Sequence, residues 1–281
     1  MSQLSQLSQL RLSPPLAAGS LLVVLVITVS IFAPWLTHHS PEEMDMEARL
    51  SGPSASHWLG TDNFGRDLWA RVAFGSRISL AIALSSVAAA LILGTLVGLA
   101  SGYFGGLLDL LLMRIVDLFL AFPPFILALA LVAVLGPGVP SVTLALTAIF
   151  WTEYARLVRA ITLSESRRDY VTAARSLGAT HRNLLFRHIL PRAFGPLAVL
   201  ATLGIGTAIV AESGLSFLGF GIEPPAPTWG WTLAYGMRYL RSQIWLSTAP
   251  GLAILVTVLG FNLVGDGLRD RLDPRGLVHR S

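Results

Sequence analysis

Glu212 closes an apolar run, 193–211, and is followed directly by Ser213 and Gly214. An acid at that depth in a hydrophobic segment is a candidate contact for a solute or ion. The competing role is a hydrogen bond to the turn that follows. Asp109, Arg114 and Asp117 recur at helical spacing, and Glu153 stands near Arg156 and Arg159. Groups so spaced pair on a helix surface, which suits a salt-bridged interfacial cluster better than a proton path. His38, His39 and His57 offer imidazoles, but no carboxylate is ordered beside the His38-His39 pair, so no metal site is expected. No set of His, Asp and Glu gathers at one depth as a catalytic centre requires, and no catalytic residue is assigned.

All 20 basic residues are arginines. Without lysine there is neither a P-loop amine for nucleotide phosphates nor a Schiff-base nucleophile. Without cysteine there is no disulfide, thiolate metal site or cysteine nucleophile. If ATP is used, another chain must bind it.

The elements that position these groups are helices. Residues 167–191, RRDYVTAARSLGATHRNLLFRHILP, interrupt the apolar chain and read as two short helices. Asp169 is the expected N-cap of the first, and Gly178 the left-handed residue that ends it. Thr180 is expected to cap the second helix and Pro191 to stop it. Val171, Ala174 and Leu177 could pack into a partner's groove, with the small pair Ala173-Ala174 permitting close approach. Arg175, Arg182 and Arg187 could pair with acids or anionic lipid. A bent, amphipathic hairpin of this kind presents itself to a partner.

The 281 residues are 53% hydrophobic and 13% charged, with mean hydropathy +0.66. Soluble domains carry about 25% charged residues, so lipid is the expected solvent. The pI near 10.1 reflects arginine clusters, read as orientation signals and not as a nucleic-acid surface. Six spans are expected at 16–36, 78–100, 110–135, 141–159, 193–211 and 244–265, each near the 20 or so residues a bilayer requires. The first is read as retained, not as a cleaved signal. Gly94-x-x-x-Gly98, Gly204 and Gly206 suit close helix contacts, while Pro123-Pro124 and Pro250 should bend their spans.

Residues 156–192 hold eight arginines against Glu165 and Asp169, and the tail holds Arg269, Arg271, Arg275 and Arg280. Short cytoplasmic loops collect such charge, so the hairpin and both termini are expected in the cytoplasm. Arg66, Arg71 and Arg77 fall outside and weaken the rule, with Asp62 and Asp67 as partial offsets. The expected organisation is a tail at 1–15, a first helix, an external segment at 37–76, a transmembrane core at 77–268 with a coupling loop at 163–191, and a tail at 269–281.

Ala173-Ala174-x-x-x-Gly178 followed by Leu190-Pro191 resembles the cytoplasmic loop of importer-type ABC permeases, with Thr172 in place of the usual acid and His188 in place of isoleucine. Four further blocks narrow the match: His57-Trp58-Leu59-Gly60-Thr61-Asp62 with Gly65-Arg66-Asp67; residues 154–159, YARLVR; residues 215–219, LSFLG; and residues 265–270, GDGLRD, leading to Leu272-Asp273-Pro274. Together they resemble the C-type permease subunit of oligopeptide, dipeptide and nickel importers.

The resemblance implies an all-α type I ABC importer fold of six transmembrane helices in a bacterial inner membrane. It implies a homologous B-type permease, two cytosolic ATPase subunits that bind ATP and Mg, and an extracytoplasmic solute-binding protein. The chain itself would hold no cofactor. Asp169, Tyr170, Ala173, Ala174, Arg175, Gly178, Ala179, Arg187, Leu190 and Pro191 would form the ATPase-coupling loop. Glu212, Ser213, Phe217 and Trp229 are candidates for the gate or translocation path, the stiff aromatic segment 224–231 lying beside them. An ion-coupled carrier would need charge in mid-span, and an intramembrane enzyme would need a catalytic constellation; neither feature is present.

Overall fold

The computed structural model describes residues 14–272. The Ser-Gln-Leu repeat at the N-terminus, Asp273, Pro274 and the tail arginines Arg275 and Arg280 lie outside the described residues. Nine helices are described: α1 (Pro14–Leu36), α2 (Leu68–Phe104), α3 (Gly106–Leu120), α4 (Pro124–Leu135), α5 (Val139–Glu165), α6 (Asp169–Ser176), α7 (His181–Phe217), α8 (Trp229–Met237) and α9 (Trp245–Leu272).

The core is built on α2 packed along α5. Glycines at four-residue intervals make the approach possible. A Cβ at Gly94 would stand 2.5 Å from the Trp151 carbonyl oxygen, and one at Gly98 would stand 2.6 Å from that of Ala155. Gly102 repeats the pattern against Thr162. A small-residue stripe of this kind lets two backbones touch where apolar burial against lipid supplies little drive. The close contact expected at Gly94 and Gly98 is therefore present, and one turn longer than expected.

Four helices, α1, α2, α7 and α9, are long and apolar enough to cross a membrane, and α3 with α4 makes a fifth if the bent pair is one span. The expected single span at 110–135 does not form as one rod. Its halves meet at 88° across Pro123-Pro124. Pro124 forces Pro123 into extended backbone, and neither nitrogen can donate to the preceding turn. The remaining candidate, α5, carries Glu153, Arg156, Arg159 and Glu165, so its second half is polar.

Helix ends also run past the apolar windows. At about 56 Å, α2 is nearly twice the hydrocarbon thickness, and it starts ten residues earlier than expected because Asp67 caps it, accepting from the Ala70 amide at 2.7 Å. The segment between α1 and α2 thus shortens to 37–67. It folds around buried charge: the Arg66 Nε donates to Asp62 at 2.7 Å, Arg71 lies 3.7 Å from the same carboxylate, and the Arg71 guanidinium donates to the Pro41 carbonyl at 3.0 Å. Both arginines are 2% exposed. Their charge is buried and paired within the fold, so it is not the free loop charge on which an orientation argument rests.

Candidate functional site: an exposed hairpin and an enclosed acid

The hairpin is built from two caps. Arg168, in extended backbone, is the N-cap of α6, and Asp169 is its first helical residue. That corrects the expected cap, though a carboxylate in the first turn still favours the helix dipole. Gly178 has φ +86°, its amide donates to the Arg175 carbonyl at 3.0 Å, and the Ala179 amide donates to that of Ala174 at 3.1 Å. These are the two bonds of a Schellman cap. Thr180 then caps α7 by accepting from the Asn183 amide at 3.3 Å.

Pro191 does not stop the second helix. Residues Leu184–Ile189 widen into a π-helical turn and the chain continues as α-helix to Phe217. A proline inside an α-helix clashes with the carbonyl four residues back and leaves it without a donor. The wider turn, closed by the Leu190 amide on the Leu185 carbonyl, absorbs the misfit.

Val171, expected to face a partner, is fully buried, as are Leu184 and Ile189. They seat the hairpin on the bundle. Exposed on it are Ala173, Arg175, Arg187, Phe186 and Leu177, the last 89% exposed beside Gly178; Ala174 and Ala179 are half-buried. Tyr170 fastens the base: its hydroxyl donates to Glu165 at 2.6 Å and its ring lies under Arg192. Partial burial and the Glu165 carboxylate push its phenol above the ordinary value. On the other side, Tyr103 at the end of α2 meets His181 Nδ1 at 2.7 Å, with the Arg175 guanidinium over its ring. Tyr103, His181 and Phe186 were not legible as site residues. A lone tyrosine before a Gly-Gly turn gave the only signal for the first.

The acids and arginines near the hairpin pair between helices. Asp109 on α3 receives two hydrogen bonds at 2.6 Å from Arg159 on α5, and another from Ser101 on α2. Asp117 takes Arg156 at 2.7 Å. The expected cluster therefore exists with other partners than Arg114 and Glu153, because α3 lies along α5.

Toward the other end of α7, Glu212 is fully buried. It accepts from Ser79 on α2 at 2.9 Å, from Ser216 at 2.8 Å and from Ser213 at 3.4 Å. Trp229 is 1% exposed and donates from its indole to the Val72 carbonyl at 2.9 Å. The two residues lock α7 and α8 to α2. Of the four candidates for a solute path, Phe217 alone is exposed, at 42%.

Residues 90–277 match the family described as binding-protein-dependent transport system inner membrane component. The chain belongs to that family. This permease is 42% identical to the dipeptide transport system permease protein of Alkalihalophilus pseudofirmus, over 95% of this chain and 88% of the relative. It is 43% identical to a probable D,D-dipeptide transport system permease protein of Escherichia coli K12, over 94% and 88%. A glutathione transport system permease protein of Escherichia coli O6 is 44% identical over 92% and 85%. The permease is thus a multi-pass membrane subunit of an ABC importer and not an enzyme.

Proposed function

We propose that this permease lines, with a homologous partner permease, the path by which an ATP-driven importer carries short peptides across a bacterial inner membrane. An extracytoplasmic binding protein delivers the peptide. Two cytosolic ATPase subunits hold ATP and Mg and dock on the hairpin 169–191. The names of the three relatives, all concerned with small peptides or glutathione, support the cargo class.

The observation that carries the coupling role is the hairpin itself: an α6 seated by Val171, ended at a left-handed Gly178, and exposing Leu177 and Phe186. An apolar tip surrounded by arginines suits an acidic-rimmed groove on a soluble partner. In this reading α5 completes six spans together with the bent pair α3–α4, and both termini face the cytoplasm with the hairpin. ATP binding draws two such hairpins together and shifts the spans between inward- and outward-facing populations.

The test is Gly178→Arg in the reconstituted four-part transporter with its binding protein. Peptide uptake and ATPase co-purification should both be lost while membrane insertion is unchanged. Uptake at the wild-type rate would refute the coupling role.

A further inference from the structure

Three metal-ligating side chains converge on the 37–67 segment, far in the chain from the hairpin. One ligand atom from each of His39, His57 and Asp67 lies within 4.8 Å of the others. We propose that they bind one divalent transition-metal ion, of the zinc or nickel class, which fastens the segment to the start of α2.

Two imidazoles and a carboxylate are donors that suit such ions. Second contacts orient two of the three ligands, His39 and Asp67, as metal-bound groups require. His39 Nε2 lies 3.2 Å from the Ser56 carbonyl. A carbonyl only accepts, so the hydrogen is on Nε2 and the lone pair on Nδ1. The His39 and His57 rings stack with centroids 4.7 Å apart, and His57 Nδ1 meets Asp67 Oδ2 at 2.9 Å. The other oxygen of Asp67 caps α2. One carboxylate thus has an oxygen for the helix and an oxygen for the ion. A cation entering between His57 and Asp67 replaces the proton they share.

Donors around a four-coordinate zinc stand about 3.4 Å apart, so His57 and Asp67, at 2.9 Å, have to part slightly while the longest separation, at most 4.8 Å, closes by an ångström or so. Both histidines sit on irregular backbone, where small side-chain rotations achieve this. An approach exists as well: His39 also lines a groove of about 640 Å³ with Thr37, Glu42 and Arg77. His38 faces that groove and is outside the set. The sequence offered the two histidines, but Asp67 looked like a topology charge; folding the 37–67 segment brings it to them.

Metal binding at this trio does not depend on which peptide is carried. Full-length permease without a polyhistidine tag, stripped with chelator and purified in detergent, is titrated with Zn²⁺ and with Ni²⁺ by calorimetry. One equivalent should bind and raise the unfolding temperature. His39→Gln and His57→Gln should each weaken binding about tenfold or more. Because a His57 variant can disturb the loop, Cu²⁺ on the wild-type protein gives a second reading: its electron paramagnetic resonance spectrum should show coupling to two nitrogens. Binding that survives both substitutions, sub-stoichiometric binding to the wild type, or a copper spectrum without nitrogen coupling would each overturn the site.

Discussion

Gly178 separates conformation from contact, because a Cβ there would meet nothing within 4 Å although φ is +86°. The intramolecular cost of alanine is then the left-handed backbone alone, about 1–2 kcal/mol. That weakens the cap by a factor of about 5–30. Asparagine tolerates this region and should cost less, while valine, branched at Cβ, should cost most. Hydrogen exchange at the Gly178 and Ala179 amides, which close the cap on Arg175 and Ala174, reports the opening directly. Peptide uptake by the reconstituted transporter reports the consequence. Protection from exchange and peptide uptake should both fall in the order Gly, Asn, Ala, Val. If asparagine proves worse than alanine, so that loss follows side-chain volume, the conformational argument fails and the position is one of contact.

The enclosed acid gives a second test. Glu212→Ala strands the Ser79 and Ser216 hydroxyls and should cost about 1–3 kcal/mol, seen as a lower unfolding temperature in detergent; Glu212→Gln keeps an acceptor and should cost less, and the reverse order would refute the hydrogen-bond account. On the α2 ridge, Gly98→Leu pushes against the Ala155 backbone and should destabilise by about 1–3 kcal/mol or more, whereas wild-type stability would mean α2 and α5 do not touch there. For Asp109 and Arg159, whose side chains are 19% and 33% exposed, a double-mutant cycle should yield a coupling of about 1 kcal/mol that shrinks with salt. Additive losses would show that the pair is geometric only.

The transmembrane character and the hairpin were legible because hydropathy and glycine placement are local signals. Gly178 and Thr180 do what their residue types suggest, since a cap depends on a few neighbouring backbone groups. Pro191 and the Pro123-Pro124 pair were legible as breakers, yet the outcome at each depended on what lay beyond. One is absorbed by a widened turn inside a continuous helix, and the other folds a span to a right angle. Glu212 shows the limit more plainly. Ser79, which closes its hydrogen-bond set, is 133 residues away in sequence, and no periodicity within α7 points to it. The same holds for Asp67 beside His39 and for Arg159 opposite Asp109, where tertiary contact chose among several acids and arginines of equal local promise.

Since α7 runs without a loop from the hairpin to Phe217, no slack chain separates the proposed docking end from the far side of the bundle. If ATPase subunits dock on the hairpin as proposed, a stroke applied at Leu177 would arrive as torque. The rod is about 54 Å long, so a tilt of about 5° displaces one end by roughly 5 Å. On that reading the widened turn at Leu184–Ile189 would serve as a wrist near the driven end, and the serine-clasped Glu212 as a bearing near the other. Stiffening the wrist or loosening the bearing should alter how far each ATP cycle moves the gate while leaving ATP hydrolysis untouched. In mechanical terms the permease would work as a crank whose throw is set by two short stretches of sequence, one carrying Phe186 of the proposed docking surface and the other near the far end of α7.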